Sequence, residues 1–442
     1  MTLFSLGFLD CRGRTAARVR ALRTWSSCFG CSLAAIAGSA VAQPPAPIGS
    51  EVGVNTTTTG LQDFHSVAVL DDGTFIVVWE TDATGDDDIM LRRFAADGTA
   101  LSAEVPVNAT TTGEQQDPDV AALRAGGFVV VWDSGTGGNR EIVGRLFEND
   151  TTPVAGEFSV SDEADHDHND AAVAGLLGSD FVVVWEREGA DTTNEDLVAR
   201  EFLAARGPSG FIDVNVTVAE DQEDVAIAAA ADGNYVVAWE SGDDSDDDIF
   251  ARRFQPGVGA LGGEIAVSTE GGGLQENCDV AMHPDGRFAV VYENDATDPW
   301  SVRARFYDAT ATPVSAPFTV NTANRPVLAP SIAMDSIGRG IVVWDRLQLD
   351  GTSDIIANAV NSDGSLEGAE FVVNEASGEV EIVPKIALGP GGGLWAWIAC
   401  PDLDMCDFGD VNDLDLDLEA RAFVLPIFAD GFESENTDAW SN

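Results

Sequence analysis

The chain has 442 residues, of which 75 are Asp or Glu against 23 Lys or Arg, and Lys385 is its only lysine. A formal charge of −52 repels nucleic-acid phosphates and anionic lipid, and so excludes both as partners. Beyond the first 42 residues no segment holds the roughly 18 uninterrupted apolar residues that a membrane span needs.

The N-terminus departs from this acidic pattern. Arg12, Arg14, Arg18, Arg20 and Arg23 precede the apolar run CFGCSLAAIAGSAVA, which ends at Gln43. A basic region, a short apolar region and a small-residue ending predict a secretory signal over residues 1–42, followed by a linker over 43–49. The expected location is secreted or at the cell surface, with the periplasm as a variant.

From residue 50 the chain repeats. FIVVWE ends at Trp79, FVVVW at Trp132 and again at Trp185, YVVAWE at Trp239, FAVVYE at Tyr292, GIVVWD at Trp344 and GLWAW at Trp397. The spacings of this aromatic column are 53, 53, 54, 53, 52 and 53 residues, which makes seven units. A second column runs ahead of it in step: Val54-Asn55, Val107-Asn108, Val160-Ser161, Val214-Asn215, Val267-Ser268, Val320-Asn321 and Val373-Asn374.

The second unit shows the internal plan. EVPVN, DVAAL, FVVVWD and IVGRLF are short runs rich in β-branched and aromatic residues, separated by Gly, Asp, Asn and Pro. Turns such as DDG before Phe75 and PDG before Phe288 suit tight hairpins. Four antiparallel strands per unit predict an all-β, seven-bladed propeller over residues 50–425. An apolar run such as FVVVW then lies covered on both faces by neighbouring blades. The last unit ends at LEARAF without a following Val-Asn strand, so the N-terminal strand 51–55 is expected to pair into the last blade and close the ring.

A third column places Arg92, Arg145, Arg200, Arg252, Arg305 and Arg421 in the third strand, with Asn358 in unit 6. An acid follows the aromatic at Glu80, Asp133, Glu186, Glu240, Glu293 and Asp345, and Ile398 replaces it in unit 7. Cross-strand pairing of these two columns is expected, with the Trp and Arg columns as structural residues.

Seventeen residues before the aromatics stand Gln62, Gln115, His168, Gln222 and Gln275, then Val327 and Val380. This column either lines the mouth of a central channel as a ligand-binding set or hydrogen-bonds within each blade. The loops ETDATGDDD, ESGDDSDDD and CPDLDMCDFGDVNDLDLDLE cluster carboxylates as a hard cation requires. Asp402, Asp404, Asp407, Asp410, Asp413, Asp243, Asp244 and Asp246 are the candidate ligands of a structural Ca²⁺, against a plain solvated surface. His166 and His168 with Asp165, Asp167 and Asp170 form a weaker transition-metal candidate. Cys400 and Cys406 are close enough in sequence to pair in an oxidising compartment, and Cys278 reads as a buried small hydrophobe.

Catalytic motifs are scarce. The chain has four histidines, no G-x-S-x-G elbow and no spaced Ser/His/Asp set. DDGTF at 71–75 resembles the Asp-box of sialidase propellers, yet it lacks the leading hydroxyl residue and the Trp placement.

The units resemble the tandem repeats of large secreted bacterial proteins, in which a Val-Asn strand, an F-V-V-V-W strand and an R-x-F strand recur over about residues 50–424. The resemblance implies an extracellular propeller-like module. The ending IFADGFESENTDAWSN, within the tail 426–442, is similar to a D-G-F-E plus W-S tail of exported Gram-negative proteins, which implies a sorting signal. The expected function is a monomeric, non-catalytic module that binds a glycan or protein through its acidic loop face. The alternative is a hydrolase or lyase acting on a polysaccharide with carboxylates at the central channel. A few carboxyls with raised pKa converging on one pocket favour the enzyme, and carboxyls spread round the rim favour binding.

Overall fold

A computed structural model describes residues 45–425 except 137–138, 162–166, 189–193, 219, 243–246, 270, 297–298, 376–377, 390–391 and 401–415. It also gives the backbone of two short strands, Phe8–Leu9 and Thr15–Ala16. The described residues hold strands and no helix, and they form an all-β propeller. The first and second Trp-bearing units show the pattern. In unit 1, Gln62–Val69, Phe75–Thr81, Asp88–Phe94 and Val105–Pro106 follow one another in an antiparallel sheet. In unit 2 the order is Glu114–Ala122, Phe128–Gly135, Arg140–Phe147 and Phe158–Ser159.

Units 1 to 5 form five free-standing sheets of four or five strands. Units 6 and 7 share an eight-stranded sheet, because one parallel pair, Ser353 with Val380, bridges them. The expectation of seven separate four-stranded blades is corrected to that extent. The N-terminal strand Ala46–Gly53 pairs antiparallel with the last strand, Asp417–Val424. Each innermost strand touches that of the next unit, and Val380–Gly389 of unit 7 touches Gln62–Val69 of unit 1.

The packing explains the uninterrupted apolar runs. Ile76 and Val78 pack in one core with Phe128, Val130 and Trp132, whereas Val129 and Val131 pack in the next with Phe181, Val183 and Trp185. Alternate side chains of one strand therefore serve two different inter-unit cores, so neither face can be polar. Phe75, Val77 and Trp79 share a core with Leu394, Ala396 and Ile398, which joins the first unit to the last.

Polar latches repeat at the same places. The Asn or Ser of the second column accepts a backbone N–H from the third strand: Ile89 N to Asn108 Oδ1 at 2.8 Å, Ile142 N to Ser161 Oγ at 2.9 Å and Ile355 N to Asn374 Oδ1 at 2.9 Å. Asn55, from the other end of the chain, does this for Leu418 N at 2.7 Å. The expected Arg–carboxylate pairing is corrected. In the ladder Glu80 lies opposite Ile89 and Arg92 opposite Val77, three residues apart and hence on opposite faces. The arginines instead reach the preceding unit. Arg92, Arg145, Arg200, Arg252, Arg305 and Arg421 donate from Nη1 to the carbonyls of Val54, Val107, Val160, Val214, Val267 and Val373. Five of them also lie over an aromatic ring, as Arg145 does over Phe147 at 5.6 Å.

Candidate functional site

The channel along the axis is built by a bulge in every innermost strand. In unit 1, Asp63 pairs with Glu80 and Ser66 with Val78, so Phe64 and His65 together face Trp79. The first bulge residue has positive φ in all seven units: Phe64, Asp117, Asp170, Asp224, Asn277, Ala329 and Val383. Asp and Asn tolerate this left-handed conformation through their short polar side chains. Phe64, Ala329 and Val383 adopt it at a cost of about 1–2 kcal/mol each. These seven residues are all half-buried.

The bulge makes the mouth two-sided. At the first bulge position units 2 to 5 present Asp117, Asp170, Asp224 and Asn277, whereas units 6, 7 and 1 present Ala329, Val383 and Phe64. One residue earlier, Asp63, Gln116, Asn169, Glu223 and Glu276 give way to Leu328 and Ile382. Units 6 and 7 are thus apolar at both positions, and unit 1 at the first only.

Beneath this rim lies a buried tier of carboxyls, formed by the acids that follow the aromatics. Each accepts the bulge N–H of the next unit: Asp117 N to Glu80 Oε2 at 3.1 Å, Asp170 N to Asp133 Oδ2 at 3.1 Å, Asp224 N to Glu186 Oε1 at 2.9 Å and Val383 N to Asp345 Oδ2 at 3.3 Å. Asn277 and Ala329 donate likewise to Glu240 and Glu293. Ile398 has no oxygen to offer the bulge at Phe64.

Burial raises five of these acids, and neighbouring carboxyls add to it at four of the five. Burial, then Asp63, Asp117 and Asp87, raises Glu80 well above the usual carboxylate range, and burial, then Asp117 and Asp170, does the same for Asp133. Burial is likewise the leading cause at Glu240 and Glu293, and it brings Asp345 to about 7. Asp63, opposite Glu80, is raised to about 8 by burial, then by Asp87 and Asp82. Asp63 Oδ1, Asp133 Oδ1 and Glu293 Oε2 are buried without a hydrogen-bond partner among the described residues.

Two residues beyond each positive-φ residue the channel carries Ser66, Asp119, Ala172, Ala226, Asp279, Ser331 and Lys385. Asp119 accepts Ser66 Oγ at 2.6 Å and Val173 N at 2.7 Å, so it ties units 1, 2 and 3 together. Asp279 accepts Ser331 Oγ at 2.9 Å and Ile332 N at 2.8 Å. Burial raises both aspartates, and the Lys385 ammonium opposes it at each. His65 is buried there and is depressed to about 4, mainly by burial. Two residues further stand seven alanines, from Ala68 to Ala387, and beside them is an open cavity of about 320 Å³ lined by Val69, Met282, Met334 and Leu388 among others.

The predicted ligand-binding column is placed elsewhere. Gln62, Gln115, His168, Gln222 and Gln275 are at most 1% exposed. Four of them accept the indole N–H of their own unit: Trp79 to Gln62 at 2.9 Å, Trp132 to Gln115 at 2.8 Å, Trp185 to His168 Nδ1 at 3.0 Å and Trp239 to Gln222 at 2.8 Å. Their assignment as a ligand-binding set is corrected to a role inside each blade. Where Val327 and Val380 replace the glutamine, the indoles of Trp344 and Trp397 have no partner among the described residues. His168 is turned inward by the same bond, and His166 lies outside the described residues.

Asp402, Asp404, Asp407, Asp410, Asp413, Asp243, Asp244 and Asp246 also lie outside the described residues, as do the tail 426–442 and the signal segment apart from Phe8–Leu9 and Thr15–Ala16. Among the described residues no group of three or more His, Cys, Asp or Glu is arranged to hold a metal ion. Cys400 is disulfide-bonded, while Cys406 lies outside the described residues. Cys278 is in no disulfide; it is half-buried, with Sγ 3.3 Å from the Asp224 carbonyl oxygen. The mouth acids were missed in the sequence because their number along the chain hid them. The sole lysine and the switch from polar to apolar in units 6 and 7 were the available signals.

The fold and this channel define the class, an all-β propeller with a carboxyl-lined axial mouth. No family model matches the chain, and no curated protein matches it. A protein of unknown function from Dyadobacter fermentans is similar to it with a TM-score of 0.53 and 9% identity, over 85% of this chain and 98% of that one. The polysaccharide lyase Uly1 is similar with a TM-score of 0.53 and 9% identity, over 86% of this chain and 99% of that one. The alpha-L-arabinofuranosidase of Fusarium graminearum has a TM-score of 0.45 and 10% identity, over 87% of this chain and 98% of that one. At these identities the likeness is one of fold.

Proposed function

We propose that the chain is a polysaccharide-acting propeller enzyme whose chemistry lies at the channel mouth. The carrying observation is the two-tier set of carboxyls at the mouth, with the buried tier pushed up by burial and the rim tier half-buried. Glycosidic hydrolysis needs one carboxylic acid to protonate the leaving oxygen and one carboxylate to attack or to activate water. Asp63, with an unpartnered oxygen and a pKa of about 8, suits the acid, and Asp117 on the adjoining rim suits the carboxylate. Uly1, a polysaccharide lyase of similar fold, supports a glycan substrate. A charge of −52 disfavours a polyanionic one, so hydrolysis of a neutral or cationic polymer is preferred over elimination on a uronate polymer.

The same reading takes the eight-stranded sheet as two blades, which makes seven, with the N-terminal strand closing the ring. It also takes the chain as exported after loss of residues 1–42, with calcium in the acidic loops 243–246 and 402–413. A second reading, a non-catalytic binding propeller, is favoured by the fact that six buried acids already serve the next unit's bulge. The test is a release assay on neutral, cationic and uronate polysaccharides, which follows reducing ends and unsaturated products separately. Reducing ends that vanish in Asp63→Asn support the proposal. No product from any polymer, with binding retained, turns it to the second reading.

A further inference from the structure

The inner strands carry an apolar opening at the end opposite their bulges. The open cavity of about 320 Å³ is lined there by the closing residues of the inner strands of units 1, 2, 5, 6 and 7, and every lining residue is apolar. Val69, Met282, Met334 and Leu388 are only half-buried, so this wall meets water. Its volume falls at the lower end of the ~300–1,000 Å³ range of ligand sites, and apolar surface left open in this way marks a place of contact. The last strand runs out beside it. Val424 lies opposite Gly392, and Gly392 opposite Gly389, so that strand ends level with the residue that follows Leu388. Leu425 packs against the same core as Ala333, Ile386 and Leu388, which belong to the cavity wall. Ladder spacing puts Val424 two strands, ~10 Å, from the inner strand. Pro426 has no N–H and cannot extend the ladder, and the apolar Ile427, Phe428 and Ala429 follow it. Three extended residues span ~10 Å, so a chain leaving Leu425 can bring Phe428 to the cavity.

We propose that this opening is the docking site of the chain's own tail, residues 426–442, with Ile427 and Phe428 seated among Val69, Met282, Met334 and Leu388. An apolar triplet tethered this close meets the cavity at a high effective concentration, which a separate apolar partner lacks. The methionines suit this occupant, because the flexible thioether adapts its shape and makes favourable contacts with an aromatic ring. Beyond Ala429 the tail turns acidic, with Asp430, Glu433 and Glu435 on either side of Phe432, so the seated part is short. Docking covers this end of the inner strands and leaves the carboxyl-lined mouth at the other. The proposal needs no enzymatic activity and stands apart from the reading above.

The experiment uses the full chain with Phe428→p-benzoylphenylalanine, irradiated in dilute solution, with the links mapped by mass spectrometry. Benzophenone reacts readily with methionine, so links within one chain to Met282 or Met334 are expected. Chymotrypsin gives a second readout. Cutting after Phe428 should be at least ~10-fold faster in the double variant Met282→Glu, Met334→Glu than in the parent, the population ratio that burial of one phenylalanine supplies. Leu349→Glu, on an exposed loop at the opposite end of unit 6, should be cut as the parent is. The cross-link is read with the cavity intact, so it decides the matter even where the double variant unfolds. Links within the chain to the cavity wall uphold the proposal. Links to other surfaces alone, no links, or equal cutting in a folded double variant overturn it. Links only between two chains also overturn it and assign the opening to a second copy.

Discussion

Replacing Asp345 by Asn isolates what a buried latch acid does to stability. Asp345 is 4% exposed, and burial lifts its pKa from 3.8 to about 7 although Val383 N donates to it. The folded chain therefore binds a proton here that the unfolded chain has released. This contribution to stability is complete below pH ~4 and is lost as pH rises through about 7. Roughly three pKa units at ~1.4 kcal/mol each make this about 4 kcal/mol between the two limits, an upper figure for one group. An Asn carbonyl oxygen can still accept the Val383 N–H and never ionises. The variant should match the parent below pH ~4, exceed it by a margin that grows up to about pH 7, and keep that margin at pH 8, with a flatter profile of urea midpoint against pH. A residual slope should persist, because Asp63 at about 8 and Glu419 at about 7 titrate in the same direction. Parallel profiles for variant and parent refute the reasoning, since they mean that folding leaves the Asp345 pKa unraised.

Val327→Gln should restore to unit 6 the acceptor that Trp79 finds in Gln62, raising the thermal midpoint by the equivalent of ~1 kcal/mol. Arg145→Ala removes the 2.6 Å bond to Val107 O and the ring contact with Phe147, and should lower stability by ~1–2 kcal/mol in urea unfolding. Asn55→Ala leaves Leu418 N and Asp417 Oδ1 without their partner, and should cost ~1–2 kcal/mol while quickening proteolytic release of the first strand. Millimolar Ca²⁺ should raise the thermal midpoint where Mg²⁺ does not, if the loops around Asp243 and Asp402 hold calcium.

The repeat plan was legible because its signals are periodic and apolar. FVVVW, the Val-Asn column and the hairpin turns are fixed by packing that recurs every 53 residues or so, and one unit read correctly reads the rest. Polar partners were less legible. Two columns on neighbouring strands suggested an ion pair, yet parity along the ladder sends Glu80 and Arg92 to opposite faces, one to the next unit and one to the preceding unit. Gln62 stands near the chain's entry into the inner strand, which left its column open to either the mouth or a bond within the blade. The bulge two residues later turns the following side chains toward the axis and leaves Gln62 under its own tryptophan. No sequence pattern marks a bulge made with Phe64 or Val383, since glycine is the residue that usually advertises one.

The pairing of Ala46–Gly53 with Asp417–Val424 has a temporal consequence. The first strand of the folded region to be synthesised has its partner among the last, more than 360 residues later. Contacts so distant in sequence form slowly, and until then the first and last units expose one side of their shared core. Folding of the ring to completion must therefore await synthesis of Asp417–Val424. Until that strand is made, the first strand has no ladder to join.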